Sequence, residues 1–135
     1  MQILLVEDDP DMAEMFHWNY SQVANRMDAE ASIEVITDGQ KAVDNLLECY
    51  FDLIFLDIGL PVLTGFEVLQ AIRPENIYTP VIMLSNSNDQ RDVHKAYSLG
   101  ANGYLYKGDL HRLQSSLLVI CQCYFNHLIL PTPLD

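Results

Sequence analysis

The sequence predicts a single α/β domain, a five-stranded parallel sheet that is doubly wound, with helices on both faces. Three observations lead there. The chain alternates five times between a short apolar run and a stretch of helical periodicity, and such alternation implies a parallel sheet with right-handed crossovers. The apolar runs are continuous, as in Leu53-Ile54-Phe55-Leu56, which is the pattern of strands buried on both faces. Charged or hydroxyl residues follow four of these runs directly, namely Glu7-Asp8-Asp9, Asp57, Ser85 and Lys107.

The elements follow in order. Strands are expected near 2–6, 33–37, 52–57, 80–85 and 103–106, and helices near 10–27, 39–48, 65–72, 89–99 and 109–126. Pro10 suits a first helical turn, where its missing N–H costs nothing. Asp38-Gly39 breaks the second strand from the second helix. Gly100 follows Leu99 as a helix-terminating glycine, and Asn102-Gly103 turns the chain into the last strand. The domain is expected to span 1–126, with 127–135 as a C-terminal extension.

Composition excludes several functions. The 135 residues are half hydrophobic, so they can bury a real core. Net charge is -12 with seven Lys plus Arg, which argues against nucleic-acid binding because phosphate contacts need clustered cations. There is no apolar run of membrane-spanning length, and Met1 leads straight into a strand, so neither a membrane span nor a signal peptide is expected. Cys49, Cys121 and Cys123 lack zinc or redox spacing and read as reduced thiols of a cytoplasmic protein.

The chemistry centres on Asp57, at the carboxyl end of the third strand, where open α/β sheets place their ligands. If the first and third strands are neighbours, Glu7 and Asp8 lie beside it. Two carboxylates ~5 Å apart repel by about 3 kcal/mol at an effective dielectric of about 20. A divalent cation removes that penalty, and oxygen donors without Cys or His select magnesium or manganese over zinc. Asp57 would then be the nucleophile for an incoming phosphoryl group. Ser85 would hydrogen-bond one phosphoryl oxygen and Lys107 would pair with another. Taken singly, each residue has an ordinary reading: a loop cap, a solvated helix start, a turn serine, a surface lysine. Their joint occurrence at four strand ends makes coincidence a poor account.

These stretches resemble the receiver domain of two-component response regulators. The resemblance is carried by Leu4-Leu5-Val6-Glu7-Asp8-Asp9, by the run from Leu53 to Gly65, by Pro80-Val81-Ile82-Met83-Leu84-Ser85, and by Gly100-Ala101-Asn102-Gly103-Tyr104-Leu105-Tyr106-Lys107. It covers about residues 1–120 and implies a flavodoxin-like fold. The phosphoryl group would come from a histidine kinase or a phosphotransfer histidine onto Asp57. Mg2+ would be held by Asp8, Asp57 and the Gly59 carbonyl, with Glu7 acting through water. Ser85 and Lys107 match the switch hydroxyl and the phosphate-pairing lysine, and Tyr104 the aromatic that moves with the hydroxyl. The protein would promote its own phosphorylation and dephosphorylation, as a signalling switch and not a turnover enzyme.

Four positions depart from the family pattern: Gly59, where many receivers carry a larger residue; Ser85, in place of threonine; Asn86, in place of a small residue; and Gly108, in place of a cis proline. They bear on phosphoryl lifetime and switch tightness. No output domain is expected, so the protein would act by binding or as a phosphoryl shuttle. The end of the chain, through Leu128-Ile129-Leu130-Pro131, resembles the small regulators associated with bacterial phytochromes.

Two other readings stand beside this one. A receiver-like interaction module could work unphosphorylated. A phosphatase or flavin-binding enzyme is disfavoured: Gly59 stands where a haloacid-dehalogenase-type phosphatase needs an acid, and Glu7-Asp8-Asp9 would repel a flavin phosphate. In the last helix Leu110, Leu113, Leu117, Ile120, Tyr124 and Leu128 make one stripe at helical spacing, which reads as core, but the helix is apolar nearly all round. Either the tail folds back over it or a partner covers it, and a homodimer through Leu118, Ile120, Cys121 and Phe125 is the favoured expectation. Trp18 is expected to point away from the buried face of the first helix, formed by Met12, Phe16, Val23 and Met27.

Overall fold

A computed structural model describes residues 2–27 and 32–124. Five parallel strands, β1 (Gln2–Val6), β2 (Ser32–Ile36), β3 (Leu53–Asp57), β4 (Val81–Ser85) and β5 (Gly103–Tyr106), pair in the order β2-β1-β3-β4-β5. The helices between them are α1 (Pro10–Arg26), α2 (Gly39–Glu48), α3 (Gly65–Ile72), α4 (Gln90–Ser98) and α5 (Leu113–Gln122). This is the expected doubly wound sheet.

Alternation along each strand sends side chains to opposite faces. Leu4, Val6, Ile54, Leu56, Val81 and Met83 meet Ala42 and Leu46 of α2, Val68, Leu69 and Ile72 of α3, and Ala96 of α4. Ile3, Leu5, Leu53, Phe55, Ile82 and Leu84 meet Met12, Phe16, Tyr20 and Val23 of α1 and Leu113, Leu117 and Cys121 of α5. All five residues of β3 and of β4 are buried, whereas β2, at the sheet edge, is mostly exposed or half-buried.

Four helices begin at residues that satisfy their free amides. Asp9, Asp38 and Asp89 accept from Asp11, Lys41 and Arg91, and Thr64 with Glu67 forms a reciprocal capping box. Gly65 allows α3 to start against the end of β3, since a Cβ there would stand 2.5 Å from the Asp57 carbonyl oxygen. Gly100 closes α4 with φ +105, a left-handed conformation that suits glycine.

The end of the chain differs from expectation. The continuous helix predicted near 109–126 is instead a 3₁₀ segment, Lys107–Arg112, followed by α5. Asp109 (φ -98, ψ 16) interrupts the helical backbone, and Gly108 just before it is a poor helix former. This delay sets which face of α5 is buried: Leu113, Leu117 and Cys121 form the core stripe, while Leu118 and Ile120 are only half-buried. Cys121, expected at a dimer surface, is 0% exposed and belongs to the protomer's own core. Burial also pushes its thiol up to about 11. The exposed apolar residue of α5 is Val119, and Phe125 lies outside the described residues. Trp18 does point away from the core, at 60% exposure.

Candidate metal and phosphoryl site

The strand order reverses direction between β1 and β3, and the crevice above such a reversal is where doubly wound sheets bind ligands. The register Val6↔Leu56 brings the ends of these strands side by side. Glu7, Asp8 and Asp57 therefore converge, each offering an oxygen within 4.8 Å of the others. Glu7 and Asp57 are buried, whereas Asp8 is exposed at the mouth.

Glu7 is held by its own turn. Its Oε2 accepts from the amides of Asp8 (3.0 Å) and Asp9 (3.4 Å). Lys107, immediately after β5, reaches across the sheet end, with Nζ 2.8 Å from Glu7 Oε1 and 3.1 Å from Asp57 Oδ1. The Lys107–Glu7 contact is an ion pair by distance, yet Glu7 Oε1 is buried and accepts no hydrogen bond of good angle. Asp57 Oδ1 also accepts from the Gly59 amide at 3.2 Å.

The electrostatics follow. Burial raises the Glu7 carboxyl to about 7; the close contact with Lys107 opposes this, and the neighbouring Asp57 reinforces it. Burial alone would lower the Lys107 ammonium, but its close contact with Glu7 and the charges of Asp57 and Glu7 outweigh that, and it is held above its usual range. Three carboxyl groups face one ammonium. A hard divalent cation fits this donor set: all-oxygen ligands, an under-partnered buried carboxylate oxygen, and an exposed acid at the mouth.

Ser85 ends β4 and is buried. Its Oγ accepts from the Ser87 amide at 3.0 Å. Tyr104, half-buried on β5, donates its hydroxyl to the Ser87 carbonyl at 2.8 Å. A Cβ at Gly59 would meet nothing within 4 Å, so the mouth is open there. Asn86 is exposed, and no cis peptide bond occurs among the described residues, the bond before Gly108 included. Ser87 was not singled out from sequence, because Ser85-Asn86-Ser87-Asn88-Asp89 is polar throughout and any member could have been a simple cap.

A family model described as the response regulator receiver domain matches residues 3–117. Response regulator ArlR of Staphylococcus aureus is 33% identical over 111 residues, 78% of this chain and 45% of that protein. The chain thus spans about half the length of the curated relatives it matches. Among solved structures, the phosphorylated cyanobacterial phytochrome response regulator RcpA is 25% identical with a TM-score of 0.80, over 97% of this chain and 98% of that one. The Mn(2+)-bound form of response regulator Rcp1 is 28% identical with a TM-score of 0.80, over 97% and 99%. The Vibrio cholerae chemotaxis protein CheY4 is 28% identical with a TM-score of 0.74, over 92% and 98%.

Proposed function

The chain belongs to the response regulator receiver domain family, and on that premise we propose that it is a phosphorylation-controlled switch with Asp57 as acceptor and Mg2+ as cofactor. The observation that carries this reading is Lys107 Nζ lying within 3.1 Å of Asp57 Oδ1, beside two further acids whose oxygens lie within 4.8 Å.

Asp57 supplies the nucleophilic oxygen. A P–O bond forms at its carboxylate as the P–N bond to the donor histidine breaks, and the imidazole nitrogen leaves with the bond's electron pair. Lys107, freed from part of its pairing with Asp57, neutralises a phosphoryl oxygen, and Ser85 donates a hydrogen bond to another. Asp8, Asp57 and the Gly59 carbonyl would hold the cation, with Glu7 acting through water. When bound, the cation supplies charge neutralisation for the acids and the phosphoryl oxygens. The Mn(2+)-bound state of Rcp1 supports a divalent ion here. Because the acceptor is the protein's own aspartate, the protein is a switch and not a turnover enzyme.

The donor is a histidine kinase or a phosphotransfer histidine. The likeness to RcpA over 97% of this chain supports a bacterial phytochrome as the upstream sensor. No helix among the described residues is long and apolar enough to cross a membrane, in keeping with a cytoplasmic location. Exposed Val119 beside half-buried Leu118 and Ile120 on α5 supports a homodimer through that helix. Incubation with acetyl phosphate and Mg2+, followed by intact mass, tests the central reading. One added phosphoryl that is lost in Asp57→Asn is the expected result, and labelling unchanged in that variant overturns it.

A further inference from the structure

We infer that Ser87 and Asp92 are positioning residues for the phosphoryl site, pinning the β4–α4 loop so that the Ser85 hydroxyl is preset as a donor. This rests on the acceptor role of Asp57. Ser87 uses every polar group it has. Its Oγ donates to Asp92 Oδ2 at 2.6 Å and accepts from the Asp89 amide at 3.2 Å. Its amide donates to Ser85 Oγ at 3.0 Å, and its carbonyl accepts from the Tyr104 hydroxyl at 2.8 Å. One residue thus links the end of β4, the first turn of α4 and the middle of β5.

The chemistry gives these contacts a direction. A serine hydroxyl carries one proton and two lone pairs. The Ser87 amide takes one lone pair of Ser85 Oγ, which limits how the hydroxyl can turn and leaves its single proton free to point at the site, where the phosphorylated protein would offer it a phosphoryl oxygen. The strongest of the four contacts is the one to Asp92, short and charge-assisted. Asp92 lies on α4, outside the acid cluster, half-buried and away from Asp57 in sequence. It therefore acts on Ser85 only through Ser87. An ordinary helix-capping role would account for Ser87 Oγ and Asp92, but it leaves the amide on Ser85 and the carbonyl on Tyr104 unexplained.

The test is titration of the full chain with beryllofluoride in excess Mg2+, read by calorimetry and fluorine NMR, beside a separate Mg2+ titration. Ser87→Ala and Asp92→Asn should each weaken beryllofluoride by about three- to tenfold, the scale of one hydrogen bond. The double variant should be no weaker than the weaker single, because both act through one contact. Mg2+ affinity should stay at the wild-type value, and Ser87→Thr, which keeps the hydroxyl, should restore binding. Unchanged or tighter beryllofluoride binding overturns the inference. So do additive losses, or a parallel fall in Mg2+ affinity that marks general loosening. Wild-type protein that binds no beryllofluoride overturns the acceptor reading itself, and this inference with it; wild-type protein that binds while the variants bind equally well fails the inference alone.

Discussion

Lys107 Nζ lies 2.8 Å from Glu7 Oε1, nearer than the 3.1 Å that separates it from Asp57 Oδ1. On the proposed function, the lysine is thus anchored on the acid that would not accept the phosphoryl group. Asp57 can form a new bond without stranding the ammonium, and Glu7 keeps a counter-charge throughout. Without a cation, though, Glu7 remains a buried carboxyl whose proton is held up to about 7.

That sets a pH dependence in chelator. The folded state keeps a proton on Glu7 where the unfolded chain, with the ordinary value of 4.5, has lost it. The contribution is fully present below about 4.5 and is lost as pH rises through about 7. Metal-free protein should therefore lose stability across that window, by roughly 2 kcal/mol or less, and Glu7→Gln should flatten the profile. Mg2+ competes with the proton, so its stabilising effect should be larger at pH 8 than at pH 5.5. Urea midpoints in chelator that are equally steep in wild type and Glu7→Gln would remove Glu7 as the cause.

Asp8 should dominate cation binding. It is the exposed acid of the cluster, and it is the charged ligand other than Asp57 expected to touch the ion. Asp8→Ala should weaken Mg2+ by about tenfold or more, equivalent to about 1.4 kcal/mol, and Glu7→Gln by less. Calorimetric titration decides; equal affinity in wild type and Asp8→Ala would contradict the ligand set.

How far the sequence was legible depends on what each element buries. β3 and β4 are buried on both faces, so unbroken apolar runs located them, and the acids, hydroxyl and lysine at the strand ends were read from their position alone. The α5 face was legible only in part: Leu113 and Leu117 stand at helical spacing and are buried, whereas the later part of the stripe was misplaced. Its phase is set by where the 3₁₀ segment stops, and that depends on Gly108 and on Tyr106, whose ring occupies the space a Cβ at position 108 would need. A shift of one residue exchanges Ile120 for Cys121 in the core. The Ser87–Asp92 contact was illegible for another reason: it joins two polar residues five apart across a loop, where neither spacing nor periodicity carries a signal.

Arg73 offers a stability test away from the site. Its guanidinium donates to the carbonyls of Gly100, Ile77 and Thr79 and to Asn102 Oδ1, at 2.8–3.2 Å, tying the end of α3 to the entries of β4 and β5. Desolvation lowers its pKa, and no acid lies among these partners. Arg73→Ala strands several partly buried carbonyls and should cost about 2–3 kcal/mol. Arg73→Lys should recover only part, since an ammonium cannot reproduce the planar fork. A urea midpoint unchanged in Arg73→Ala would show that water replaces these contacts fully.

Val62 stores strain in the loop between β3 and α3. Its φ is +69, and Leu63 N donates to Pro61 O at 2.9 Å, the closure of a classic γ-turn around a β-branched residue. At 75% exposure, little packing offsets that strain. Val62→Gly should stabilise the protein by about 0.5–1 kcal/mol, the left-handed penalty of an L-residue less the flexibility of glycine. A fall in stability would show that the Val62 side chain makes a contribution its exposure does not reveal.

The last test concerns association. Val119 is 59% exposed on α5, and Leu118 and Ile120 beside it are half-buried, so a charge at position 119 leaves the protomer core of Leu113, Leu117 and Cys121 intact. Burying one such apolar side chain stabilises by roughly 1.5–3 kcal/mol, and a two-fold contact buries each copy's. Val119→Glu should therefore weaken a homodimer by at least about tenfold while leaving the urea midpoint of the monomer near wild type. Light scattering over a concentration series reads both species. Wild-type protein that stays monomeric throughout, or an unchanged dimer constant in Val119→Glu, would remove α5 as the interface. The same α5 starts from the segment that carries Lys107, so a dimer through this helix should also respond to phosphoryl occupancy. Its constant should shift when beryllofluoride is added to wild type and stay fixed in Asp57→Asn.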